Sequence, residues 1–501
     1  MRPSRPAAAV VLAAGEGTRM KSSTPKVLHA IGGRSLLGHA LAAAAATEPE
    51  HLVVVVRHGR DAVAAHVGEV APDAVVADQD DVPGTGRAVQ CGLEELARVR
   101  AGAGASGTVL VTYGDVPLLD GATLRDLVEV HEAGGHAVTV VTAEVDDPTG
   151  YGRVLRDADG AVAAVVEHKD ADEAQRAVRE INSGIYAFDG EVLADALGRV
   201  GRDNAQGEMY LTDVLRLARE AGGRVAAHRV DDVWQTEGVN DRVQLARMGA
   251  ELNRRLLEGW MREGVTVVDP ASTWVDAGAA LARDVTLLPG TQLLGTTSVA
   301  EGATVGPDTT LRDCEVGPGA SVVRSHAEGA RIGERATVGP FSFLRPGTVL
   351  GVAGKIGGFV ETKNARIGDG AKVPHLTYAG DAEIGEGANI GAGTIFANYD
   401  GVAKHRTSVG RHSFVGSDSV LVAPVTIADG AYVGAGSTVT HDVPAGSIAV
   451  ARGKQRNVEG WVARRRAGTA TAEAAQQATA HQATDQQDQH PHQHAEEEAQ
   501  R

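Results

Sequence analysis

Residues 299–356, VAEGATVGPDTTLRDCEVGPGASVVRSHAEGARIGERATVGPFSFLRPGTVLGVAGKI, repeat an aliphatic residue about every six positions, usually with a glycine after it. A period of six fits neither an α-helix nor a simple alternating strand, but it is typical of a parallel β-helix built from hexapeptides. Each hexapeptide contributes one short strand with its aliphatic residue inside, and three of them close a triangular coil. The coils stack about 4.8 Å apart, as strands do in any sheet. The repeat therefore predicts a prism with an aliphatic core.

The repeat continues as far as Val439 and is interrupted in three places. Its aliphatic positions are Val299, Val305, Leu311, Val316, Val322, Ile332, Val338, Leu344, Leu350, Ile356, Ile367, Val373, Ile384, Ile390, Phe396, Val409, Val415, Leu421, Ile427, Val433 and Val439. The rhythm slips after Ile356, after Val373 and after Phe396, and polar residues fill these intervals. We expect the prism to open at all three, because a chain must leave a regular prism to build a site.

The first half of the chain alternates apolar strands with helical segments between residues 7 and 242. The candidate strands are Ala8–Leu12, Leu52–Val56, Thr108–Thr112, Ala137–Ala143 and Ile185–Phe188, and the candidate helices are Ser35–Ala46, Arg87–Arg100 and Ala122–Ala133. This alternation predicts a mostly parallel, Rossmann-like sheet covered on both faces, with ligands at the carboxyl ends of its strands. The fold class is thus α/β followed by a β-helix of hexapeptide repeats.

Four segments follow from these patterns: an α/β domain over residues 1–242, a linker helix over 243–263, the β-helix over 264–467 and a disordered tail over 468–501. The tail is rich in Ala, Gln, Thr and His and lacks apolar periodicity. Its histidines offer metal chelation as an alternative to a solvated tail; they are His490, His492 and His494. At the other end, the alanine run Ala7–Ala14 also fits a signal peptide, although the glycine loop after it favours a buried strand.

Composition narrows the class of protein. With 48 basic and 65 acidic residues among 501, the net charge of −17 argues against a protein that coats nucleic acid. Aromatic residues at 3% and 63 glycines suit coils lined by Val, Ile and Leu. Cys91 and Cys314 have no partner spacing, so we expect neither a disulfide nor a zinc framework, as in a reducing cytoplasm. No apolar run is long enough for a bilayer, and we predict small-molecule substrates.

A glycine loop follows the first strand directly, in the segment Leu12–Arg19, with Pro25 and Lys26 beyond it. Glycine lets backbone N–H groups approach a phosphate closely, and we expect the start of a helix to add a favourable dipole. Arg19 and Lys26 place fixed positive charge where a triphosphate would lie. The spacing is that of neither a P-loop nor a dinucleotide fingerprint. The prediction therefore depends on the loop together with Pro25-Lys26.

This loop resembles that of the sugar-nucleotide pyrophosphorylases, the nucleotidyltransferases that join an NTP to a sugar 1-phosphate. Other segments of the family pattern follow in order. They are Gln79 with Gly84-Thr85-Gly86, Tyr113-Gly114-Asp115, Tyr151-Gly152-Arg153, Glu167-His168-Lys169, Asn182-Ser183-Gly184 and Glu237-Gly238-Val239-Asn240. Pro83 and Arg87 depart from the family, which usually has leucine and often histidine there, and both changes bear on the shape of the base pocket.

The resemblance implies a role for each of these residues. Arg19 and Lys26 would act in catalysis, Gln79 would read the uracil base, and Asp115 and Asn240 would hold Mg²⁺. A carboxylate at the carboxyl end of a strand suits a hard cation, although Asp115 also fits a turn or a helix cap. Gly152, Glu167 and Asn182 would hold the N-acetylglucosamine phosphate, within a nucleotide site of Leu12, Ala13, Ala14, Gly15, Lys26, Gln79, Gly84, Thr85, Tyr113, Gly114, Asp115, Gly152, Glu167, Asn182 and Asn240.

The interrupted part of the repeat holds a second set of reactive side chains. Hexapeptide β-helices are commonly acyltransferases that use coenzyme A, although the fold alone does not prove it. Acetyl transfer to an amine needs a base, a donor for the oxyanion and a slot for the pantetheine. His375 is the best candidate base because its intrinsic pKa lies near neutrality, the alternative being a coil-edge histidine. Arg345 and Lys363 suit a sugar phosphate.

Together the two halves resemble the bifunctional family of N-acetylglucosamine-1-phosphate uridylyltransferases and glucosamine-1-phosphate N-acetyltransferases, over about residues 8–465. The resemblance implies a left-handed β-helix, His375 as proton acceptor, and a homotrimer whose acetyltransferase sites are shared between subunits. The extra loop Asn398–Ser408 would protrude toward a partner. The amino sugar phosphate would contact Arg345, Lys363, Tyr378 and Asn389, and acetyl-CoA would contact Ala392, Asn398, Tyr399, Ser417, Ala435 and Arg452.

The expected function is the synthesis of UDP-N-acetylglucosamine for peptidoglycan and related polymers. Acetyl-CoA would acetylate glucosamine 1-phosphate, and UTP with Mg²⁺ would then react with the product. One alternative is a monofunctional nucleotidyltransferase whose β-helix only oligomerises or regulates. Another is a translation-initiation exchange-factor subunit that pairs the same two folds as a scaffold. Both alternatives predict that one half has lost its reactive residues, whereas both sets are present.

Overall fold

A computed structural model describes residues 5–100 and 106–488 and shows two domains joined by one long helix. The elements of the first domain are β1 (Ala8–Ala13), β2 (Ala30–Ile31), β3 (Arg34–Ser35), α1 (Leu36–Ala45), β4 (Leu52–Val56), α2 (Arg60–Val70), β5 (Val75–Asp78), α3 (Thr85–Val99), β6 (Thr108–Tyr113), α4 (Gly121–Gly134), β7 (Val138–Glu144), β8 (Gly152–Arg156), β9 (Val162–Val166), α5 (Glu173–Arg176), β10 (Glu180–Asp189), α6 (Gly190–Leu197), α7 (Asp213–Glu220) and β11 (Val225–Arg229). The joining helix, α8, spans Arg242–Arg262 and is shifted by one residue from the predicted span 243–263.

Seven strands of the first domain form its main sheet, in the order β11-β7-β10-β6-β1-β4-β5. Within this order, β10 runs antiparallel to β6 and β7, and the other neighbours pair in parallel. The β8–β9 ribbon attaches to the side of β10. The predicted mostly parallel sheet is confirmed.

The N-terminal alanine run forms the central strand β1, which is paired on both sides and buried along its whole length. Its alternate residues enter two separate cores, because successive side chains of a strand point to opposite faces. Ala8, Val10 and Leu12 pack with α3, α6 and α7 on one face. The intervening residues of β1 pack beneath α1, α2 and α4 on the other. The strand interpretation of this run is therefore correct.

The β-helix contains thirty short strands of two to four residues. They are β12 (Thr266–Val267), β13 (Trp274–Val275), β14 (Ala280–Leu281), β15 (Thr286–Leu287), β16 (Gln292–Leu294), β17 (Ser298–Val299), β18 (Thr304–Val305), β19 (Thr310–Arg312), β20 (Glu315–Val316), β21 (Ser321–Val322), β22 (His326–Glu328), β23 (Arg331–Ile332), β24 (Thr337–Val338), β25 (Phe343–Leu344), β26 (Val349–Leu350), β27 (Lys355–Gly358), β28 (Glu361–Lys363), β29 (Arg366–Ile367), β30 (Lys372–His375), β31 (Tyr378–Gly380), β32 (Ala382–Ile384), β33 (Asn389–Ile390), β34 (Ile395–Ala397), β35 (Thr407–Val409), β36 (Phe414–Val415), β37 (Val420–Val422), β38 (Val425–Ile427), β39 (Tyr432–Val433), β40 (Thr438–Val439) and β41 (Ile448–Ala449).

The strands form three parallel sheets, because every third strand returns to the same side of the prism. The first face runs from β12 to β41, the second from β13 to β40, and the third from β14 to β38. The repeated aliphatic residues point inward and form one continuous core along the prism. The predicted β-helix is thus confirmed.

Two of the three slips in the rhythm are not openings of the prism. Strands β28 and β31 stay in register on the second face, and their inward residues, Thr362 and Ala379, are fully buried. The rhythm slips there because small side chains replace the larger aliphatic ones, and because the next aliphatic residue then follows after five positions, not six. The expected openings after Ile356 and Val373 are therefore wrong. The third slip is a genuine excursion, since residues 398–406 leave the prism between β34 and β35.

Helix α8 fixes the first domain to the first coil of the prism. The Nδ2 of Asn253 donates to the carbonyl of Thr273 at 2.8 Å, and its Oδ1 accepts the N–H of Val275 at 3.0 Å. The carbonyl of Gly32, in the β2–β3 turn, accepts the N–H of Ala277 at 2.9 Å. The two domains are therefore joined by hydrogen bonds to backbone groups of the first coil.

The expected disordered tail begins as a helix instead. Short helix α9 spans Trp461–Arg465, and α10 spans Ala470–Asp488, with Ala472 buried. An alanine-rich sequence has high helix propensity even where it buries little surface. The three tail histidines lie outside the described residues. No helix in the described ranges is both long enough and apolar enough to cross a membrane.

Candidate active sites

A cavity of about 330 Å³ lies at the carboxyl ends of the parallel strands of the first domain. Strand β1 leads into it with Leu12–Ala14, β5 is followed by Gln79, and β6 is followed by Gly114 and Asp115. The lining residues are Leu12, Ala13, Ala14, Gly15, Glu16, Lys26, Val27, Arg57, His58, Gln79, Pro83, Gly84, Thr85, Ala88, Tyr113, Asp115 and Glu208. The structure thus brings most of the predicted nucleotide residues to one cavity.

The glycine loop lets Lys26 approach this cavity. Gly17 has φ +67°, and a Cβ there would lie 2.5 Å from the Cβ of Lys26, so a larger residue has no room. Residues Thr18–Met20 then form a single 3₁₀ turn. The expected helix start is therefore wrong, and one turn is too short to sum a useful dipole. The groups that can attract an anion here are therefore Lys26, Arg19 and the backbone N–H groups.

Two cations meet two oxygen-bearing side chains beside the loop. The Lys26 ammonium pairs with Asp115 Oδ2 and lies 3.4 Å from Asn240 Oδ1. Arg19 Nη2 donates to the same Asn240 oxygen at 2.8 Å. Since one ammonium contacts both oxygens, Asp115 and Asn240 face a common point where a cation fits. One carboxylate and one amide oxygen suit Mg²⁺, which usually takes its other ligands from phosphates and water.

No group of three or more His, Cys, Asp or Glu side chains in residues 5–100 and 106–488 is arranged to hold a metal. A cation at Asp115 and Asn240 would therefore depend on oxygens supplied by a substrate. Zinc, which usually takes three or four protein ligands, does not fit this donor set.

A small polar subsite adjoins the cavity. A Cβ at Gly152 would lie 3.5 Å from both the Cβ of Asn182 and the Oε1 of Glu167, so the three residues converge. The Oδ1 of Asn182 accepts from the Tyr186 hydroxyl and the Gly184 N–H, each at 2.9 Å. These bonds leave the Nδ2 of Asn182 to donate to a ligand. The Glu167 carboxyl lies in a poorly hydrated position, and this burial raises its pKa.

Tyr113 joins the subsite to the cavity that it lines. A Cβ at Gly184, where φ is +80°, would lie 2.3 Å from the Tyr113 ring, so glycine is needed for this contact. Burial raises the pKa of the Tyr113 phenol far above its usual range. The phenol is therefore a neutral hydrogen-bonding group at pH 7.

Gln79 has a fixed amide orientation at the other end of the cavity. Its Nε2 donates to the carbonyls of Val82 at 3.0 Å and Gly84 at 3.2 Å. Both amide hydrogens are thus used, and Oε1 remains as an acceptor. Gly84 has φ +122°, and a Cβ there would lie 2.3 Å from the Met209 carbonyl oxygen.

Five of the eleven residues in the second candidate set follow one edge of the prism, between the first and second faces. Each residue that directly follows a residue of this edge donates its N–H to the carbonyl of the edge residue one coil below. The N···O distances are 3.2, 2.7 and 2.8 Å in successive coils. The edge residues are therefore stacked about 4.8 Å apart. A Cβ at Gly436 would lie 4.0 Å from Arg452, which continues the row. This row, called the His375 edge, comprises His375, Ala392, Ser417, Ala435 and Arg452.

The candidate ligands of the amino sugar are divided between two faces. Arg345, Lys363 and Tyr378 lie on or at the end of strands of the second face, whereas Asn389 lies on the first face beside Lys372. His375 is exposed where the two faces meet, and its ring makes no hydrogen bond to the residues that the structure describes. The structure therefore does not bring all four ligands together within one chain.

Lys404 brings a second ammonium group to Lys363. The neighbouring Lys363 lowers the pKa of Lys404, because two ammonium groups side by side repel. A phosphate is the kind of counter-ion that relieves this repulsion. No role was predicted for Lys404 from the sequence, although the basic run Lys404-His405-Arg406 could have indicated one.

Asp381 is a further polar centre that the sequence analysis missed. Its carboxylate accepts from Asn398 Nδ2 at 2.5 Å and from Asn364 Nδ2 at 2.8 Å. Burial acts to raise the pKa of Asp381, but the two amides, together with the charges of Lys363 and Lys404, outweigh it and the pKa is lowered. Asn398, itself buried, thus has its side chain held by an ionised carboxylate.

The excursion at residues 398–406 has a braced shape. Asp400 Oδ1 accepts the N–H groups of Val402 at 2.8 Å and Ala403 at 2.7 Å, and its Oδ2 lies 2.7 Å from His405 Nε2. Tyr399, at its start, and Val402, at its tip, are nevertheless highly exposed. The loop protrudes as expected, and its own hydrogen bonds hold it.

Comparisons with known proteins agree with the folds of both halves of the chain. A profile for the MobA-like NTP transferase domain matches residues 9–182, and one for the bacterial transferase hexapeptide (six repeats) matches residues 406–441. Relatives named Bifunctional protein GlmU occur in Kineococcus radiotolerans, Pseudarthrobacter chlorophenolicus and Streptomyces coelicolor, at 63%, 62% and 60% identity. These alignments cover 95%, 94% and 94% of this chain and 96%, 96% and 97% of the relatives. With both domains matched over nearly their whole length, the chain belongs to the GlmU family of bifunctional proteins.

Proposed function

We propose that this enzyme makes UDP-N-acetylglucosamine in two steps at two separate sites. The β-helix acetylates glucosamine 1-phosphate with acetyl-CoA, and the first domain then transfers UMP from UTP to the product and releases pyrophosphate. The observation that carries the proposal is the cluster of Lys26, Asp115 and Asn240 at the carboxyl ends of the sheet, in a chain whose prism presents an exposed His375.

Uridylyl transfer is a displacement at phosphorus. A phosphate oxygen of N-acetylglucosamine 1-phosphate attacks the α-phosphorus of UTP, and the bond from that phosphorus to the pyrophosphate oxygen breaks. Lys26 and Arg19 neutralise charge on the triphosphate, and we infer that Lys26 exchanges Asp115 for a phosphate when UTP binds. Mg²⁺ held by Asp115 and Asn240 would neutralise phosphate oxygens.

The amide orientations in the first domain fit a uridine base and an N-acetyl sugar. The free Oε1 of Gln79 can accept the N3–H of uracil, whereas cytosine presents an acceptor at N3 and would be repelled. At the other end, Asn182 Nδ2 donates and the Glu167 carboxyl accepts, as a sugar bearing amide and hydroxyl groups requires.

Acetyl transfer begins with removal of a proton. His375 takes it from the ammonium of glucosamine 1-phosphate, and the amine then attacks the acetyl carbonyl. The C–N bond forms and the C–S bond breaks, the nitrogen loses a second proton, and coenzyme A leaves as a thiolate that takes up that proton. The small side chains of Ala392, Ser417 and Ala435 leave a slot for the pantetheine above His375, and Arg452 suits a coenzyme A phosphate at its far end.

The acceptor phosphate would lie at the end of the second face. Arg345 and Lys363 supply two cations there, and Lys404 from the braced loop supplies a third. Asn398 and Tyr399, at the start of that loop, would contact acetyl-CoA, with Asn398 held by Asp381.

The division of ligands between faces supports a homotrimer in which a neighbouring copy completes each site. One small sugar phosphate cannot contact Asn389 on the first face and Arg345 on the second face of the same convex prism. Below His375 the edge is an apolar ridge of Phe341, Phe359 and Leu376, which are 55%, 63% and 61% exposed. Such a ridge marks a contact surface.

The three ridge residues share a left-handed backbone conformation. They have φ of 60°, 56° and 50°, which is rare for bulky side chains and costs about 1–3 kcal/mol each. The rings of Phe341 and Phe359 stack with centroids 5.3 Å apart. Other turns of the prism, such as those at Asp308, Asp313 and Asp418, have the same conformation, so it is the exposed apolar side chains that distinguish the ridge.

The substrates also suggest where the enzyme works. UTP and acetyl-CoA are metabolites of the cytoplasm, and we place the enzyme there. Both cysteines, Cys91 and Cys314, are free and buried, which suits a reducing compartment.

The test is an assay of the full chain with glucosamine 1-phosphate, acetyl-CoA, UTP and Mg²⁺, each omitted in turn. Without UTP, coenzyme A release should continue without pyrophosphate. Without acetyl-CoA, pyrophosphate should appear only when N-acetylglucosamine 1-phosphate is supplied. Asp115→Ala should lower pyrophosphate release about 100-fold and leave coenzyme A release intact, with the exposed Asp126→Ala as control. Parallel loss of both activities would contradict two independent sites.

A further inference from the structure

The turn that holds Gln79 is acidic on both sides, and each acid meets an arginine from a different element. Residues 78–81 read Asp-Gln-Asp-Asp between β5 and α3. Three arginines, from the segment after β4, from α2 and from α3, pair with the three carboxylates. The pairs are Arg57–Asp81 at 3.5 Å, Arg60–Asp78 at 2.9 Å and Arg87–Asp80 at 2.7 Å.

Arg87 is the most shielded of the three and the most fully bonded. Its side chain is 19% exposed, against 28% for Arg57 and 49% for Arg60. Its Nε and Nη2 donate to Asp80 Oδ2 at 3.0 and 2.7 Å, and its Nη1 donates to Glu94 Oε1 at 2.9 Å. The guanidinium lowers the pKa of Asp80, which stays ionised. Arg87 therefore ties the acidic turn to helix α3.

A short chain of hydrogen bonds connects Asp80 to the amide of Gln79. Asp80 Oδ1 accepts the N–H of Val82 at 3.0 Å, and the Val82 carbonyl accepts one Nε2 hydrogen of Gln79 at 3.0 Å. Beyond it, the Pro83 carbonyl accepts the Met209 N–H at 3.0 Å. The direction of the Gln79 amide thus depends on a carboxylate that Arg87 holds.

We propose that Arg87 is a positioning residue for uridine recognition, acting through Asp80 and Val82 on the side-chain amide of Gln79. Arg87 is not one of the residues that line the nucleotide cavity, so it acts on the turn and not on the nucleotide. A guanidinium has five N–H donors in a fixed fork and can bond Asp80 twice while reaching Glu94. A neutral imidazole has one N–H donor and cannot bridge both acids. The inference rests on the proposed use of UTP.

The test is steady-state kinetics of Arg87→Met in the full chain. We expect the KM for UTP to rise about three- to tenfold, with the kcat of uridylyl transfer nearly unchanged. The preference for UTP over CTP should fall, because the amide of Gln79 is no longer fixed. The KM for N-acetylglucosamine 1-phosphate should stay the same, since that subsite lies on other elements.

Two further variants separate positioning from general damage. Asp80→Asn should reproduce the effect, and the double variant should be no worse than either single one, because all break the same link. Arg98→Met, on the same helix with its own partner Glu95, is the matched control and should change nothing. An unchanged kcat of uridylyl transfer reports that the first domain of each variant is folded, and acetyl transfer by the second domain reports the amount of intact chain.

The proposal is overturned if Arg87→Met keeps the wild-type KM for UTP and the wild-type preference over CTP. It is also overturned if the KM for the sugar phosphate rises equally, or if the effects of Arg87→Met and Asp80→Asn add. Failure of the proposed function would look different, because the wild-type enzyme itself would then release no pyrophosphate from UTP.

Discussion

The two active sites are complete to different degrees within one chain. In the first domain, loops from several strands surround a concave cavity, and Lys26, Asp115 and Asn240 already meet there. On the prism, His375 stands on a convex edge, and its candidate partners lie on two faces. The carboxyl end of a parallel sheet is naturally a crevice. A prism edge gains walls only from another surface, so in the proposed homotrimer the β-helix of one chain supplies part of the second site and a neighbouring copy supplies the rest.

The largest effect should come from His375→Ala. Loss of a general base typically lowers a rate about 10²- to 10⁴-fold, and we expect that loss in coenzyme A release from acetyl-CoA and glucosamine 1-phosphate. Pyrophosphate release from N-acetylglucosamine 1-phosphate should be unchanged, because the first site is complete in its own domain. The exposed His412→Ala is the control histidine on the prism. Acetyl transfer above a tenth of the wild-type rate would rule out His375 as the base.

The dependence on assembly is tested by placing a charge on the apolar ridge. Phe359→Asp puts a carboxylate where a neighbouring copy should bury an aromatic ring, which is costly without a partner. We expect dissociation in analytical ultracentrifugation, with a loss of acetyl transfer of about tenfold or more and normal uridylyl transfer. Val268→Asp is the control, because Val268 is also apolar and exposed but lies in the first coil. A monomer with full acetyl transfer would mean that each prism holds a complete second site.

A smaller effect should follow from Asp381→Asn, which tests order inside the second site. The substitution removes the charge that holds Asn398, and we expect the KM for acetyl-CoA to rise about fivefold to tenfold. Asp313→Asn is a matched control, because Asp313 also has a positive φ, and its carboxylate bonds the Thr296 N–H far from His375. An unchanged KM for acetyl-CoA would remove Asp381 from the site.

The fold could be predicted from the sequence because burial leaves a direct trace in it. Aliphatic residues at a period of six mark the inward positions, and strand–helix alternation marks a parallel sheet. The same aliphatic pattern gave a wrong prediction where the core of the prism contains small residues. Thr362 and Ala379 fill the inward positions of β28 and β31, and two regular coils therefore looked like interruptions.

The residues of the first candidate site could be grouped from the sequence more readily than those of the second, for a related reason. Its residues follow strand ends, and parallel strands bring their carboxyl ends together, so position along the chain implies proximity. Lys404 and Asp381 act across coils, at distances that depend on loop shape. The pair Arg87–Asp80 likewise joins a helix to a turn seven residues away. Such contacts leave no periodic signal.

The smallest effect should come from ending the chain after Ala467, which removes α10 and everything beyond it. Among the described side chains from residue 468 to 482, Ala472 is the only buried one, so the loss of buried surface is small. We expect both rates to stay within about twofold of wild type, and the unfolding free energy to change by less than about 1 kcal/mol. Both assays and a thermal melt measure this, and Ala472→Asp in the full chain is the matched control for helix docking. If acetyl transfer alone fell in the truncated chain, the tail would form part of the acetyl-CoA slot. The chain itself would then supply part of the lining of its second site, and the two sites would differ less in how complete they are within one chain.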